Sequence, residues 1–81
     1  MHVEILTPDA HVYDGEAEIV TLPGADGSFQ IMDNHAPMVS ILQAGPVTVK
    51  TRTGELRFNT MGGVAEVSNN RVAVLAEGIL K

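Results

Sequence analysis

The chain lacks cysteine and tryptophan, and it has only one tyrosine and two phenylalanines among 81 residues. Without cysteine it can form neither a disulfide nor a thiolate metal site. So few aromatic side chains leave little surface on which sugars or bases could stack. No apolar run approaches the roughly 18 residues that a membrane-spanning helix needs. The first residues lack a basic start, so we expect no secretory signal peptide.

Basic residues are also scarce, with 5 Lys and Arg against 10 Asp and Glu and a net charge of −5 with neutral His. Nucleic acid binding needs a basic footprint, so nucleic acid is excluded as a main partner. Hydrophobic residues make up 44% of the chain, which is too much for a disordered segment. The length allows one domain, whose core must be thin. We therefore expect a single small, acidic, soluble domain over residues 1–81.

Residues with a branched β-carbon are common, with ten Val, five Ile and six Thr, and such residues favour strands. The hydrophobic period is two. Val47, Val49 and Thr51 alternate with polar residues, as do Leu56 and Phe58, and no 3.6-residue period of helical length occurs. Turn signals recur at short spacing. The sequence predicts an all-β fold: an antiparallel β-sandwich or flattened barrel of about nine or ten short strands.

The predicted strands occupy residues 2–6, 11–13, 16–22, 28–32, 36–42, 46–52, 55–60, 63–67 and 71–76. Tight turns are expected where Asn or Asp-Gly pairs supply positive φ, namely at Asp14-Gly15, Thr53-Gly54 and Asn69-Asn70. We predict a longer loop over residues 23–27 and bends at Gly45-Pro46 and Gly62-Gly63. Residues 78–80 are too few for a helix that could stand alone.

No pattern in the chain predicts a catalytic centre. His2, His11 and His35 are scattered, without the local pairs from which metal sites are usually built. Glu16 and Glu18 would share one strand face about 7 Å apart, but a solvated face explains them better than a glycosidase site.

One alternative function stays open, namely a small carrier or metal-binding β-domain that uses Lys50 or the histidines. Lipoyl and biotinyl carrier domains present a lysine at a hairpin tip. Lys50 lies instead within the alternating run that ends at Arg52, where an outward strand lysine is the ordinary interpretation.

A set of short segments runs in order through almost the whole chain. The segments are Glu4–Pro8, Val12–Glu16, Val20–Gly24 followed by Gly27, His35-Ala36-Pro37, Leu42, Gly45, Gly62-Gly63, Ala65–Val67 and Asn70–Ala76. Each segment is weak evidence alone, but the ordered set is specific. Together they resemble the N-terminal β-sandwich domain of the epsilon subunit of F-type ATP synthase.

This resemblance implies a non-catalytic subunit of the rotor, or central stalk. Such a subunit binds the gamma subunit and the polar loops of the c-ring, and it helps couple proton- or sodium-driven rotation to ATP synthesis. The resemblance implies no cofactor. It places the protein peripherally at the cytoplasmic side of the bacterial inner membrane, with membrane contact only through the c-ring.

The resemblance also assigns residues to two interfaces. Those expected to face gamma are Thr7, His35 and Ser40. Those expected in the loop that meets the c-ring are Gly24, Ala25, Asp26, Gly27 and Ser28. Many members have Pro-Gly where Asp33-Asn34 stands, and Asn tolerates the left-handed region, so we expect the turn to persist. Many also have an acidic residue at the position of Ser28, for which Asp26 is the substitute.

Most family members continue into a C-terminal helical hairpin that inhibits ATP hydrolysis and, in some, binds ATP. The present sequence stops before that hairpin. We expect a naturally short form, in which inhibition by such a hairpin is physically unavailable.

Overall fold

A computed structural model describes residues 1–80, which form ten β-strands and no helix. The strands are β1 His2–Leu6, β2 His11–Glu16, β3 Ile19–Gly24, β4 Gly27–Met32, β5 Met38–Leu42, β6 Gly45–Thr51, β7 Gly54–Thr60, β8 Gly63–Ser68, β9 Arg71–Ala76 and β10 Ile79–Leu80. None of these residues belongs to a helix that could cross a membrane. The predicted all-β class and strand number are confirmed.

The strands form one sheet that curls into two layers. The first layer has the order β10-β7-β6-β3-β4, and the second has the order β5-β8-β9-β1-β2. The layers are joined where Gly24 of β3 pairs with Leu42 of β5. All neighbours are antiparallel except β1 and β9, which are parallel. The predicted antiparallel β-sandwich is confirmed, and this one parallel pair is an exception to it, because turn signals do not reveal which strand β1 joins.

The core lies between the two layers and is made almost entirely of aliphatic side chains. Alternation along the strands points every second residue inward, as the period of two predicts. The fully buried large side chains are Ile5, Leu22, Ile31, Val3, Val20, Val47, Val49, Val72, Val74 and Thr60. Each buried Val, Ile or Leu contributes about 1.5–3 kcal/mol from burial. The Thr60 hydroxyl donates to the Gly45 carbonyl oxygen at 3.1 Å, so this buried polar group is paired.

Two turns differ from those predicted. Asp14 and Gly15 continue β2, opposite Glu4 and Val3, so the prediction of a turn there was wrong. The tyrosine ring of Tyr13 occupies the space that a Cβ at Gly15 would need, which explains the glycine within a strand. Residues 23–27 form a tight hairpin rather than a longer loop, because Gly24 pairs with Gly27 across Ala25-Asp26.

Other turn predictions agree with the structure. Asn69 and Asn70 have φ of 52° and 58°, as a two-residue turn with both central residues left-handed requires. The chain also turns between β6 and β7 at Arg52-Thr53, next to the predicted Gly54. Ile79 and Leu80 add β10 to the edge of β7, a strand that the sequence did not predict.

Candidate protein interface

The outer face of the second layer carries a continuous row of apolar side chains. The pairing register places Ile41 beside Val64, Val64 beside Leu75, and Leu75 beside Leu6. We call these four residues the apolar row. Side chains of directly paired residues are close enough to form one surface. Ile41 is 69% exposed and Leu75 is 44% exposed, so the row is open to a partner.

A second row on the same face is acidic. The register aligns Glu66 with Val39 and with Ala73, and it aligns Glu4 with Ala73 and with Asp14. Glu66, Glu4 and Asp14 therefore lie along one line next to the apolar row. Val39, which begins this line on β5, is 70% exposed. A surface of this kind suits a partner with apolar side chains flanked by basic ones.

The three residues predicted to face gamma border this outer face rather than forming one cluster. Thr7 follows Leu6 directly, where β1 ends beside the apolar row. Ser40 lies on β5 between Val39 and Ile41, but it pairs with the buried Ala65, so its side chain points to the opposite side of the sheet from theirs. His35 lies in the connection between β4 and β5, towards the opposite end of β1. Thr7 follows one end of the apolar row, at Leu6, and Ser40 precedes the other end, at Ile41.

The loop that carries His35 is held by contacts on both sides. The Met1 amino group donates to Asp33 Oδ1 at 2.7 Å and to the Ala17 carbonyl oxygen at 3.0 Å. The Asn34 backbone N–H donates to Asn70 Oδ1 at 2.8 Å. Asn34 has φ of 61°, so the expectation that asparagine maintains this turn is confirmed.

His35 itself is exposed within this anchored loop. Its Nδ1 is 2.7 Å from the carbonyl oxygen of Ala36, and because a carbonyl only accepts, Nδ1 is the donor. The contact orients the ring and leaves Nε2 available to a partner.

The hairpin predicted to meet the c-ring lies against β5. The Ala25 backbone N–H donates to the Ile41 carbonyl oxygen at 3.0 Å, and the Gln43 backbone N–H donates to the Pro23 carbonyl oxygen at 2.9 Å. These bonds hold the hairpin while Asp26 at its tip stays exposed. Of the residues predicted to face gamma, Ser40 on β5 is therefore the one beside this hairpin.

A groove of about 370 Å³ lies between the hairpin and β5. We call it the β4–β5 groove. It is lined by Gly24, Ala25, Asp26, Gly27, Phe29, Val39, Ser40 and Ile41. It brings residues assigned to both predicted interfaces into one concave surface.

Sequence reasoning missed the exposed apolar residues of this region. Val39 and Ile41 were predicted only as strand residues. The available signal was that both faces of the strand are apolar, since Met38 and Leu42 alternate with Val39 and Ile41. In a sandwich one of those faces must point away from the core.

The residues of the alternative function are dispersed. His2 contacts Asp14 through Nε2 at 2.6 Å and Glu16 through Nδ1 at 2.9 Å, whereas His35 lies in the β4–β5 connection. Over residues 1–80 no three His, Asp or Glu side chains are grouped so as to hold a metal ion. Lys50 is an exposed residue of β6 opposite Glu55.

Glu16 and Glu18, which the sequence predicts on one face of a strand, do not lie in the same strand. Glu16 ends β2, and Glu18 lies in the turn before β3. The expectation that the two share one strand face was therefore wrong.

The fold closely matches chains in solved ATP synthase structures. In the central stalk and c-ring structure of the Tetrahymena thermophila mitochondrial enzyme, a chain superposes with a TM-score of 0.85 and 18% identity, covering 99% of this chain and 65% of that one. A chain in the OSCP/F1/c-ring structure of the Euglena gracilis mitochondrial ATP synthase gives 0.88 and 18%, covering 96% and 51%. At such low identity these matches establish the fold, a β-sandwich of the type found in ATP synthases.

Sequence comparison gives the family. The chain is 40% identical to the ATP synthase epsilon chain of Salinibacter ruber, covering 95% of this chain and 58% of that one. It is 37% identical to the epsilon chain of Helicobacter pylori strain P12, covering 96% and 63%. The family model for the beta-sandwich domain of the ATP synthase delta/epsilon chain matches residues 1–81. The chain belongs to this ATP synthase delta/epsilon family.

The relatives differ in how much of their length this chain spans. It spans less than two thirds of the Salinibacter and Helicobacter proteins. By contrast, it is 36% identical to the epsilon chain of Caulobacter vibrioides and spans 90% of that protein. The family therefore includes a curated protein of nearly this length.

Proposed function

We propose that this chain acts as a non-catalytic epsilon-type subunit in the central stalk of an F-type ATP synthase. It binds the gamma subunit and the c-ring, and it helps transmit ion-driven rotation to ATP synthesis. The observation that carries the proposal is the apolar row on the outer face of the second layer, bordered by Thr7 and Ser40. Family membership names the complex, and the exposed row supplies a surface that a partner must cover.

The gamma-binding surface is the outer face of the second layer. Exposed apolar side chains in contiguous rows mark protein interfaces, and Ile41 and Leu75 are the exposed members of such a row. The anchored position of His35 matters because a preorganised loop loses little conformational freedom on binding. Thr7 and His35 then supply polar contacts at the rim, and Ser40 supplies one from the β4–β5 groove.

The c-ring contact is the hairpin tip at Ala25-Asp26. Its two backbone bonds to β5 fix the direction of the tip, so the tip can transmit force without bending. Asp26 is the charged residue of this hairpin, and a carboxylate here complements a basic ring loop. An exposed pair of this kind contributes about 0.2–1 kcal/mol and is weakened by salt.

The position in the cell follows from these partners. The subunit is peripheral on the cytoplasmic side of a bacterial inner membrane and reaches the membrane only through the c-ring. Its role is mechanical, and the complex, not this subunit, performs the chemistry.

The experiment compares gamma binding by two variants that each gain one negative charge. Ile41→Asp places the charge in the apolar row. Asn59→Asp places it on an exposed position of β7 in the other layer, with almost no change of shape. In titrations with the cognate gamma subunit, Ile41→Asp weakens binding at least tenfold, which is about 1.4 kcal/mol, while Asn59→Asp binds like wild type.

A parallel pair tests the hairpin. Asp26→Lys lowers the amount of subunit retained on reconstituted c-ring, whereas Glu55→Lys, on the exposed end of β7, leaves it unchanged. Absence of any wild-type binding to gamma at micromolar concentration contradicts the proposed function as a whole. Equal gamma binding by Ile41→Asp and Asn59→Asp moves the gamma interface away from the apolar row.

A further inference from the structure

The free edge of β5 presents backbone groups that have no strand beside them. One edge of β5 pairs with β8 along its whole length, from Met38 to Leu42. The other edge pairs with β3 only where Leu42 meets Gly24. The Ile41 carbonyl oxygen accepts from Ala25 on this second side. Because successive residues of a strand bond to opposite sides, the Val39 N–H and C=O and the Ile41 N–H also point to this side.

Two other outer edges of the sheet, β2 and β10, are protected against pairing, as edges of soluble β-proteins usually are. The edge strand β2 carries His11, Asp14 and Glu16, and its pairing with β1 is interrupted by a register shift at Leu6. The edge strand β10 has only two residues. Residues 38–41 of β5 carry no charge and no proline. The outer edge of β4, from Gly27 to Met32, also carries no charge and no proline. We select the β5 edge as the template for an added strand because its residues Val39, Ser40 and Ile41 line the β4–β5 groove.

The space next to this edge fits a single extended segment. The β4–β5 groove is lined by Val39, Ser40 and Ile41 of β5 and by Phe29 of β4. The groove holds about 370 Å³, which is room for a few side chains of a bound segment. Asp26 lines one end of the groove and supplies its only charge among the lining residues.

We propose that the gamma subunit adds an extended strand to the free edge of β5. This inference rests on the proposed function, because it takes gamma as the partner. The added strand bonds to the Val39 N–H, the Val39 C=O and the Ile41 N–H. Its side chains alternate between the groove, where an apolar residue packs on Phe29, and the outer face, where one lies beside Val39 and Ile41.

Two substitutions at one position test the backbone contact. Val39→Pro removes the N–H that faces the free edge while keeping an apolar side chain. It leaves the ladder to β8 intact, because Val39 does not bond to that side. Val39→Ala removes most of the side chain and keeps the N–H. With the cognate gamma subunit, Val39→Pro weakens binding at least tenfold, and Val39→Ala, which loses only side-chain contact, weakens it clearly less than Val39→Pro does.

Amide hydrogen exchange on the wild-type protein gives a second measurement that needs no variant. In the free subunit, the Val39 and Ile41 amides exchange rapidly, whereas the Ser40 amide, bonded to β8, is protected. In the complex with gamma, exchange at Val39 and Ile41 slows at least a hundredfold.

The outcomes separate the two proposals. If wild type fails to bind gamma, the proposed function fails and the added strand fails with it. If wild type binds gamma but Val39→Pro binds equally well, or the Val39 and Ile41 amides stay unprotected in the complex, only the added strand is overturned. Equal losses for Val39→Pro and Val39→Ala, without new amide protection, identify a side-chain contact and also overturn it.

Discussion

Substitutions of Asn70 can separate two contributions to the free energy of unfolding: the strain of a left-handed turn and a long-range hydrogen bond. Its φ of 58° lies in the region that costs most residues about 1–2 kcal/mol. Its Oδ1 accepts from the Asn34 N–H at 2.8 Å, and a bond of this kind contributes about 0.5–1.5 kcal/mol. Asn70→Gly removes the acceptor but tolerates the turn, so it should lower the free energy of unfolding by about 1 kcal/mol. Asn70→Ala removes the acceptor and strains the turn, so it should cost about 2–3 kcal/mol.

Urea unfolding followed by circular dichroism measures these differences, and thermal unfolding checks them. For a domain of this size, each 1 kcal/mol lowers Tm by about 4–8 °C. Asn70→Asp keeps both an acceptor and a tolerance for left-handed φ, and it should stay within about 0.5 kcal/mol of wild type. Equal midpoints for the Gly and Ala variants would refute the strain argument. A wild-type midpoint for Asn70→Gly would show that the contact to Asn34 adds nothing to stability.

Three further predictions concern the core, the close packing of strands and the interface. Phe58→Ala should cost about 2 kcal/mol by urea unfolding, less than about 3–4 kcal/mol for Leu22→Ala, because Phe58 packs on the core but is only partly buried; the reverse order would contradict this. Gly63→Ala should prevent stable folding, because the added Cβ would collide with the backbone of β9. Gly27→Ala, also at positive φ but with open space around the new Cβ, should remain folded. Circular dichroism measures both outcomes. His35→Asp should weaken gamma binding by about 2–3 kcal/mol in titration without changing the unfolding midpoint, because it places an unpaired charge at the interface; unchanged affinity would remove His35 from that interface.

Most of the fold could be predicted because its signals are local. The alternation around Val47 and Val49 predicts which side of β6 faces the core, and the pair Asn69-Asn70 predicts a left-handed turn. These features depend on a residue and its immediate neighbours. Strand type, strand number and several turns therefore follow from the sequence.

The missed features depend on contacts between distant residues. Gly15 resembles a turn residue, but the ring of Tyr13 and the pairing with Val3 make it part of a strand. The parallel pairing of β1 with β9 has no local signal either. The apolar row has the same origin, because Ile41, Val64, Leu75 and Leu6 are dispersed in the sequence and become one surface only through the register of four strands. The family resemblance supplied Thr7, His35 and Ser40, and these residues remain predictions.

The parallel pairing of β1 with β9 sets the order in which the domain can be completed during synthesis. β1 leaves the ribosome before β9, yet its partner on one side is the segment Arg71–Ala76. Until that segment emerges, the buried residues Val3 and Ile5 lack the neighbours that cover them, and the β1–β2 hairpin alone is at best marginally stable. The sandwich can therefore close only late in synthesis of this domain. If the ribosome stalls before residue 71, the apolar residues of the β1–β2 hairpin stay exposed and can bind chaperones.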